Sequence, residues 1–134
     1  MKEEDAMGLM VLISPVIWTN DHCGKIGIIE LTDFAENKIW VAFEDEEVDS
    51  FSPKTIFILK TTEELIALSE KFKSVQWPPV SQNLKTVAML QASGSAEQLK
   101  KAYELVQDDP ELHREATIRL NEAMDLTPTR KVGR

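Results

Sequence analysis

Residues 24–60 limit the fold most strongly, because short runs of β-branched and aromatic residues alternate there with turn residues. This alternation predicts four short strands, at residues 25–32, 38–44, 48–51 and 55–60. An apolar run predicts an earlier strand at residues 9–13, and Gly27 predicts a bend or a bulge in the strand that contains it. Five short strands in so few residues are typical of a small β-barrel.

The predicted strands are apolar on both faces, whereas a strand with one face in water alternates apolar and polar residues. In the third predicted strand, Ile39, Val41 and Phe43 lie on one side, and Trp40 and Ala42 lie on the other. One face must line the barrel, and the other needs a cover, since it would otherwise form a large exposed apolar patch. That cover is either the chain's own helices or a binding or homodimer partner.

After residue 60, apolar residues recur at the spacing of a helix rather than a strand. Capping boxes at Thr61 and Ser95, together with proline after Asp109, mark three helix starts. Four helices are predicted, ending near residues 73, 92, 107 and 124, and the second of them begins at Ser81. The segment Trp77-Pro78-Pro79 predicts a rigid extended linker before it.

The expected fold class is therefore α+β. A five-stranded SH3-like barrel in residues 1–60 packs against a layer of three to four helices in residues 61–134. The last residues, 127–134, are basic and predict a disordered tail.

The net charge of −8 is concentrated in the first part of the chain. Residues 1–60 contain five lysines and twelve acidic residues, a net charge of −7, whereas residues 61–134 have a net charge of −1. A negative field of this kind repels a phosphate backbone, so nucleic acid is disfavoured as a partner. A basic protein surface or peptide suits the charge better.

The N-terminal region contains no pattern typical of membrane insertion or secretion. The apolar residues 8–18 are too few to span a bilayer, and Pro15 interrupts them. Three acidic residues follow Lys2, so the positive region of a secretory signal is missing. These features predict a cytoplasmic protein without a membrane partner.

No group of side chains in the sequence is typical of a catalytic or metal site. Cys23 is the only cysteine, and its neighbour His22 points to the opposite side of an extended segment, which disfavours a nucleophile–base pair. With His113 as the only other histidine, no Cys/His zinc set can form. The acidic run from Glu44 to Asp49 lacks the spacing and the glycine of an EF-hand calcium loop. We therefore predict no enzyme activity, no metal and no cofactor.

Residues 23–29, Cys-Gly-Lys-Ile-Gly-Ile-Ile, resemble the core of a KOW motif, in which a Gly-Lys-x-Gly run precedes a β-branched strand. The acidic hairpin at residues 43–48 and the Ser52-Pro53 corner are similar to the closing part of SH3-like barrels. The resemblance covers residues 9–60 and implies an SH3-like barrel. KOW domains of ribosomal proteins and transcription elongation factors bind RNA or protein partners, and those that bind RNA are basic.

The same residues are similar to Tudor barrels, which hold methylated cationic side chains in an aromatic cage. The resemblance implies a cage that draws on Trp18, Trp40, Phe43 and Phe51, beside the acidic residues 44–49. The alternative is that aromatic residues at strand spacing pack in the core.

The leading expectation is a non-enzymatic protein-interaction module or small regulatory subunit with an acidic barrel surface. Its partner-binding residues are expected to be Trp18, Trp40, Glu44, Glu46, Glu47, Asp49 and Phe51. One alternative is a homo-oligomeric protein that associates through its helices. Another is a nucleic-acid-associated protein that uses the KOW-like turn and the basic residues 130–134.

Overall fold

A computed structural model describes residues 3–14, 24–74 and 78–125. The expected site residue Trp18, the His22-Cys23 pair, Trp77 and the basic tail lie outside the described residues. The described chain is α+β, and its helices are α1 (Glu3–Ala6), α2 (Thr62–Ser74), α3 (Pro78–Ala92), α4 (Ala96–Asp108), α5 (Pro110–Ala116) and α6 (Leu120–Asp125). Its strands are β1 (Met10–Ile13), β2 (Ile26–Asp33), β3 (Lys38–Ala42), β4 (Val48–Phe51), β5 (Ile56–Leu59) and β6 (Thr117–Arg119).

The strands form one six-stranded sheet in the order β4-β3-β2-β1-β5-β6. The pairs β1–β2, β1–β5, β2–β3 and β3–β4 are all antiparallel. Strands β4 and β6 are the two edges of the sheet. Within the described residues the sheet is therefore open, and the expected five-stranded barrel is not confirmed. The five predicted strands are present, with ends within two residues of their predicted positions.

The sixth strand corrects the prediction of one continuous helix from residue 110 to residue 124. The backbone of Thr117 is extended, with φ −118° and ψ 161°, and it ends α5. Two β-branched residues, Thr117 and Ile118, favour a strand locally. The Lys60 N–H also donates to the Ala116 carbonyl at 2.9 Å, next to the strand. Pairing with a distant part of the chain therefore interrupts the helix.

The chain divides into two compact units, and the division does not follow the chain from end to end. In the described residues, the first unit contains residues 3–14, 24–58 and 118–125, and the second contains residues 59–74 and 78–117. The chain passes from the first unit to the second between Ile58 and Leu59, close to the predicted division at residues 60 and 61. It returns to the first unit at Ile118.

The core of the first unit lies on one face of the sheet and includes α1, α6 and the residue that follows β3. Phe43 and Phe51 meet edge to face there, with ring centroids 6.0 Å apart. Its buried members are Ala6, Val11, Ile13, Ile29, Ile39, Val41, Phe43, Phe51, Ile56, Ile58, Leu120 and Ala123. Burial of one aliphatic or aromatic side chain of this size stabilises a fold by about 1.5–3 kcal/mol.

Short-range capping sets the helix starts in the second unit. The Glu64 carboxylate accepts from the Thr61 N–H at 3.1 Å, and the Thr61 hydroxyl accepts from the Glu64 N–H at 3.2 Å, as the predicted capping box requires. The Asp109 carboxylate accepts from two N–H groups of α5, also as predicted.

The start of α3 corrects a second prediction, because Pro78 and Pro79 belong to the helix and not to an extended linker. Proline is tolerated in the first turn of a helix, where its missing N–H leaves no hydrogen bond unmade. Further along α3, the hydroxyl of buried Ser81 donates to the Ser69 carbonyl at 2.8 Å. This bond satisfies polar atoms between α2 and α3.

Gly27 allows β2 to pack closely against the end of β3. A Cβ at this position would overlap the Val41 side chain and would lie 2.9 Å from the Ala42 carbonyl oxygen and 3.0 Å from the Phe43 ring. The predicted bulge is present in β2, but it lies between Ile29 and Leu31. Gly27 therefore permits the close approach of the two strands and does not form the bulge.

We predict that Gly27→Ala lowers the free energy of unfolding by about 2 kcal/mol, because the new methyl group overpacks a core bounded by backbone. Equilibrium denaturation in guanidinium chloride measures the change. Ser50→Ala, on the exposed side of β4, is the control and is expected to change stability by less than about 0.5 kcal/mol. Equal stability of Gly27→Ala and the unmodified protein would contradict the close packing.

Candidate functional site

The face of the sheet opposite the first-unit core carries apolar side chains on β2, β3 and β4. The strand register places Ile28 opposite Ala42, and Ala42 opposite Val48. A second row contains Leu31 opposite Trp40. Residues directly opposite each other in an antiparallel sheet lie on the same face. We call these five residues the outer patch: Ile28, Leu31, Trp40, Ala42 and Val48.

The outer patch is accessible. The exposed fraction is 53% for Leu31, 50% for Val48 and 43% for Ile28, while Trp40 and Ala42 are half-buried. With neighbouring strands about 4.8 Å apart, the patch spans about 10 Å across three strands. Most exposed apolar side chains of a soluble protein are scattered singly, so a contiguous group is a candidate contact surface.

The bulge in β2 creates the second row of the patch. Ile29 lies opposite Val41, and in a regular register Glu30 would lie opposite Trp40. The extra residue shifts the pairing by one, so that Leu31 takes that place and both Glu30 and Leu31 are exposed. As a result, the Leu31 side chain, and not the Glu30 carboxylate, lies opposite Trp40.

The acidic turn, residues 44–47, lies at the end of the patch next to Ala42 and Val48. The Phe43 N–H donates to the Glu47 carbonyl and the Glu46 N–H donates to the Phe43 carbonyl, both at 2.9 Å. The Asp45 carboxylate accepts from the Glu47 N–H at 3.0 Å. All four turn residues are exposed, so the expected site residues Glu44, Glu46 and Glu47 present their charges to solvent beside the patch.

The expected site residues do not all share this face. Asp49 lies opposite Val41 and Phe51 lies opposite Ile39, so both belong to the core side of the sheet. Phe51 is buried in the core, while Asp49 is half-buried. The Asp49 carboxylate accepts from the Ser50 N–H at 2.9 Å.

The described residues do not assemble the aromatic cage. Phe43 and Phe51 contact each other in the core, and Trp40 lies on the opposite face of the sheet. Trp18 lies outside the described residues.

Sequence reasoning missed Ile28, Leu31 and Val48 as surface residues. Their residue types are those of a buried strand, and only the pairing with neighbouring strands shows which face is left open. The two-sided apolar pattern was the available signal, since it predicted a face that needs a cover.

The second unit has its own surface groove between α2 and α3, with a volume of about 300 Å³. Ile66 and Met89 line it and are 48% and 67% exposed. An adjoining groove of about 320 Å³ is more polar and is lined by Lys73, Lys85 and Glu70, among others. The surface combines an apolar end with an end that carries both signs of charge.

Two groups in the second unit have shifted pKa values. Burial raises the pKa of Tyr103 far above its ordinary value, against the opposing effect of the Leu59 N–H that donates to its hydroxyl at 3.1 Å. Burial lowers the pKa of His113 below 6.5, and a backbone hydrogen bond opposes this shift. The ring Nδ1 of His113 lies 3.3 Å from the Thr117 hydroxyl. Tyr103 thus joins α4 to the end of β5, and His113 contacts the residue that ends its own helix, α5.

In residues 3–14, 24–74 and 78–125, no three His, Cys, Asp or Glu side chains are placed to share a metal ion. The helices of the same residues are all too short or too polar to cross a membrane. In comparisons with known proteins, the chain matches no family model, no curated protein and no solved structure.

We predict that Glu46→Gly raises the free energy of unfolding by about 0.5–1 kcal/mol. Glu46 has φ 68°, a left-handed conformation that costs a residue with a Cβ about 1–2 kcal/mol, part of which is offset by the larger entropy of glycine in the unfolded chain. Thermal and chemical denaturation measure the change. Asn37→Gly is the matched control at φ 60°, with a smaller expected gain because asparagine tolerates this region. A lower stability of Glu46→Gly would show that the turn does not hold Glu46 in this conformation.

We predict that stability falls as the pH drops below about 6.5, in part because of His113. Its pKa is lower in the folded chain than in the unfolded chain, so the unfolded chain binds the proton more readily. The free energy of unfolding therefore decreases as the pH falls. Denaturation between pH 7.5 and 5 measures the slope, and His113→Gln is expected to reduce it. His22→Gln, at the other histidine, is the control, and an unchanged slope in His113→Gln would refute the assignment.

Proposed function

We propose that this chain is a non-enzymatic protein-interaction module that binds a basic, partly apolar protein segment on the outer patch. The observation that carries the proposal is the contiguous apolar surface of β2, β3 and β4 beside the acidic turn. An apolar surface rimmed by charge is the usual composition of a protein contact, with the apolar part central and the polar part at the rim.

Trp40 is the expected anchor of the contact. It lies between Leu31 on one side and Ser50 on the other, in the middle of three strands. Half-buried tryptophan side chains contribute large contact areas with little loss of side-chain freedom, and they are enriched at the centres of interfaces. Leu31 and Val48 then supply apolar area on either side of Trp40.

The charge of the surrounding residues selects the partner. The net charge of residues 1–60 is −7, and the exposed turn residues Glu44, Asp45, Glu46 and Glu47 adjoin the patch. Opposite charge speeds the encounter of two proteins and disfavours partners of like charge. A segment that carries Lys or Arg beside aliphatic residues therefore suits the surface.

A second candidate is homo-oligomerisation through the helical unit. The exposed Ile66 and Met89 favour it, since they form the apolar end of the groove between α2 and α3. Sedimentation velocity over a range of concentrations separates the two functions. Self-association that Met89→Asp abolishes would support the second candidate.

We predict that Val48→Asp weakens binding of a capped hexapeptide of alternating lysine and valine about fivefold, because one apolar contact of about 1 kcal/mol, made by the 50% exposed Val48, is lost. Isothermal titration calorimetry at low salt measures the dissociation constant. Leu105→Asp is the matched control, since Leu105 is 41% exposed on α4, outside the outer patch.

The corresponding hexapeptide of alternating glutamate and valine tests the charge. It is expected to bind at least about tenfold more weakly, because the negative field of residues 1–60 repels it. Absence of binding by the lysine peptide, or equal binding by both peptides, would overturn the proposed function.

A further inference from the structure

We infer that the partner binds as an additional antiparallel strand along the open edge of β4, so that the outer patch continues onto the bound segment. This inference rests on the proposed function and adds the mode of binding to it. Within the described residues, β4 is the last strand of the sheet and pairs only with β3. Strand addition at such an edge is one of the recurring ways in which proteins bind extended segments.

The hydrogen-bond pattern of the β3–β4 hairpin shows which groups face the open edge. The Phe43 N–H donates to the Glu47 carbonyl, so these two residues form a hydrogen-bonded pair. Such pairs alternate along an antiparallel ladder, and the next is Val41 with Asp49. The N–H and C=O groups of Val48 and Ser50 therefore point away from β3, toward the edge.

One of these edge groups already binds an acceptor. The Ser50 N–H donates to the Asp49 carboxylate at 2.9 Å. This bond caps the edge, as charged side chains on natural edge strands commonly do. A bound strand would replace the carboxylate with its own carbonyl at Ser50, and a cation on the same strand would lie beside the negative charge of Asp49.

The strand geometry also fixes which side chains of the partner contact which surface. A residue bonded to Val48 lies directly opposite it, so its side chain joins the outer face of the sheet. That side chain extends the patch beyond Val48, which is 50% exposed. The next residue of the partner lies on the other face beside Asp49. An apolar residue therefore alternates with a basic residue, and the N–H groups that bond to β4 belong to the apolar residues.

The charge of β4 disfavours a second copy of the same strand as the occupant. In an antiparallel pair of two β4 strands, the outward-facing residues can pair as Val48 with Val48, Val48 with Ser50, or Ser50 with Ser50. The first arrangement places Asp49 opposite Glu47, and the second places Asp49 opposite Asp49. The third avoids this repulsion but leaves Val48 opposite residue 52, beyond the end of β4. Like charges directly opposite each other destabilise a strand pair, so a basic segment is favoured.

Backbone N-methylation of the peptide tests the inference, because it removes a hydrogen-bond donor and leaves the side chains unchanged. The probes are the capped hexapeptide of alternating lysine and valine, the same peptide methylated at its valine nitrogens, and the same peptide methylated at its lysine nitrogens. We expect the valine-methylated peptide to bind at least about tenfold more weakly than the parent, and the lysine-methylated peptide to bind within about threefold of it. Hydrogen exchange at the Val48 and Ser50 amides is expected to slow on addition of the parent.

The outcomes separate this inference from the proposed function. Equal binding of all three peptides, or unchanged exchange at Val48 and Ser50, would overturn strand addition while the interaction module itself stands. Loss of binding with the lysine-methylated peptide alone would indicate parallel pairing, and loss with both methylated peptides would show no dependence on the Val48 register; either result overturns the inference. If the parent peptide does not bind, the proposed function fails and the inference fails with it.

Discussion

The pairing of β2 with β3 is the constraint on which the sheet surface depends. Gly27 lets β2 approach the end of β3 closely, and two residues later the bulge between Ile29 and Leu31 shifts the register by one. A shift of one residue moves a side chain to the other face of the sheet. Ile29 therefore remains in the core, while Leu31 joins Trp40 on the outer face.

Three properties of the first unit then combine at one side of the sheet. The outer patch supplies apolar area, and the acidic turn supplies charge. In the part of the chain that the structure describes, β4 is the last strand of the sheet, and its alternate backbone groups face outward. Each property alone is common in soluble proteins, and an exposed edge in particular is usually protected. Their proximity favours a ligand that is extended, apolar on one side and basic on the other.

Local patterns predicted much of this fold. The β-branched runs between turn residues gave the five strands, and capping residues such as Thr61 and Asp109 gave the helix starts, because both depend on neighbours in the chain. The sixth strand, β6, was not predicted because it depends on pairing with distant residues. The start of α3 was missed because Pro78 suits a helix start as well as an extended linker. The candidate site was predicted in part: half-buried Trp40 lies on the outer face near the exposed acidic turn, whereas Phe51 belongs to the core. The face that Leu31 and Val48 share was not evident until the register was known.

The most direct test of the central claim is the pattern of chemical-shift changes in the amide and indole resonances when the lysine–valine peptide is added. Binding along β4 and the outer patch predicts that the largest changes cluster at the Val48 and Ser50 amides and at the Trp40 indole, with little change along α2 and α3. Changes confined to the groove that contains Ile66 and Met89, or scattered evenly over the acidic surface, would contradict it.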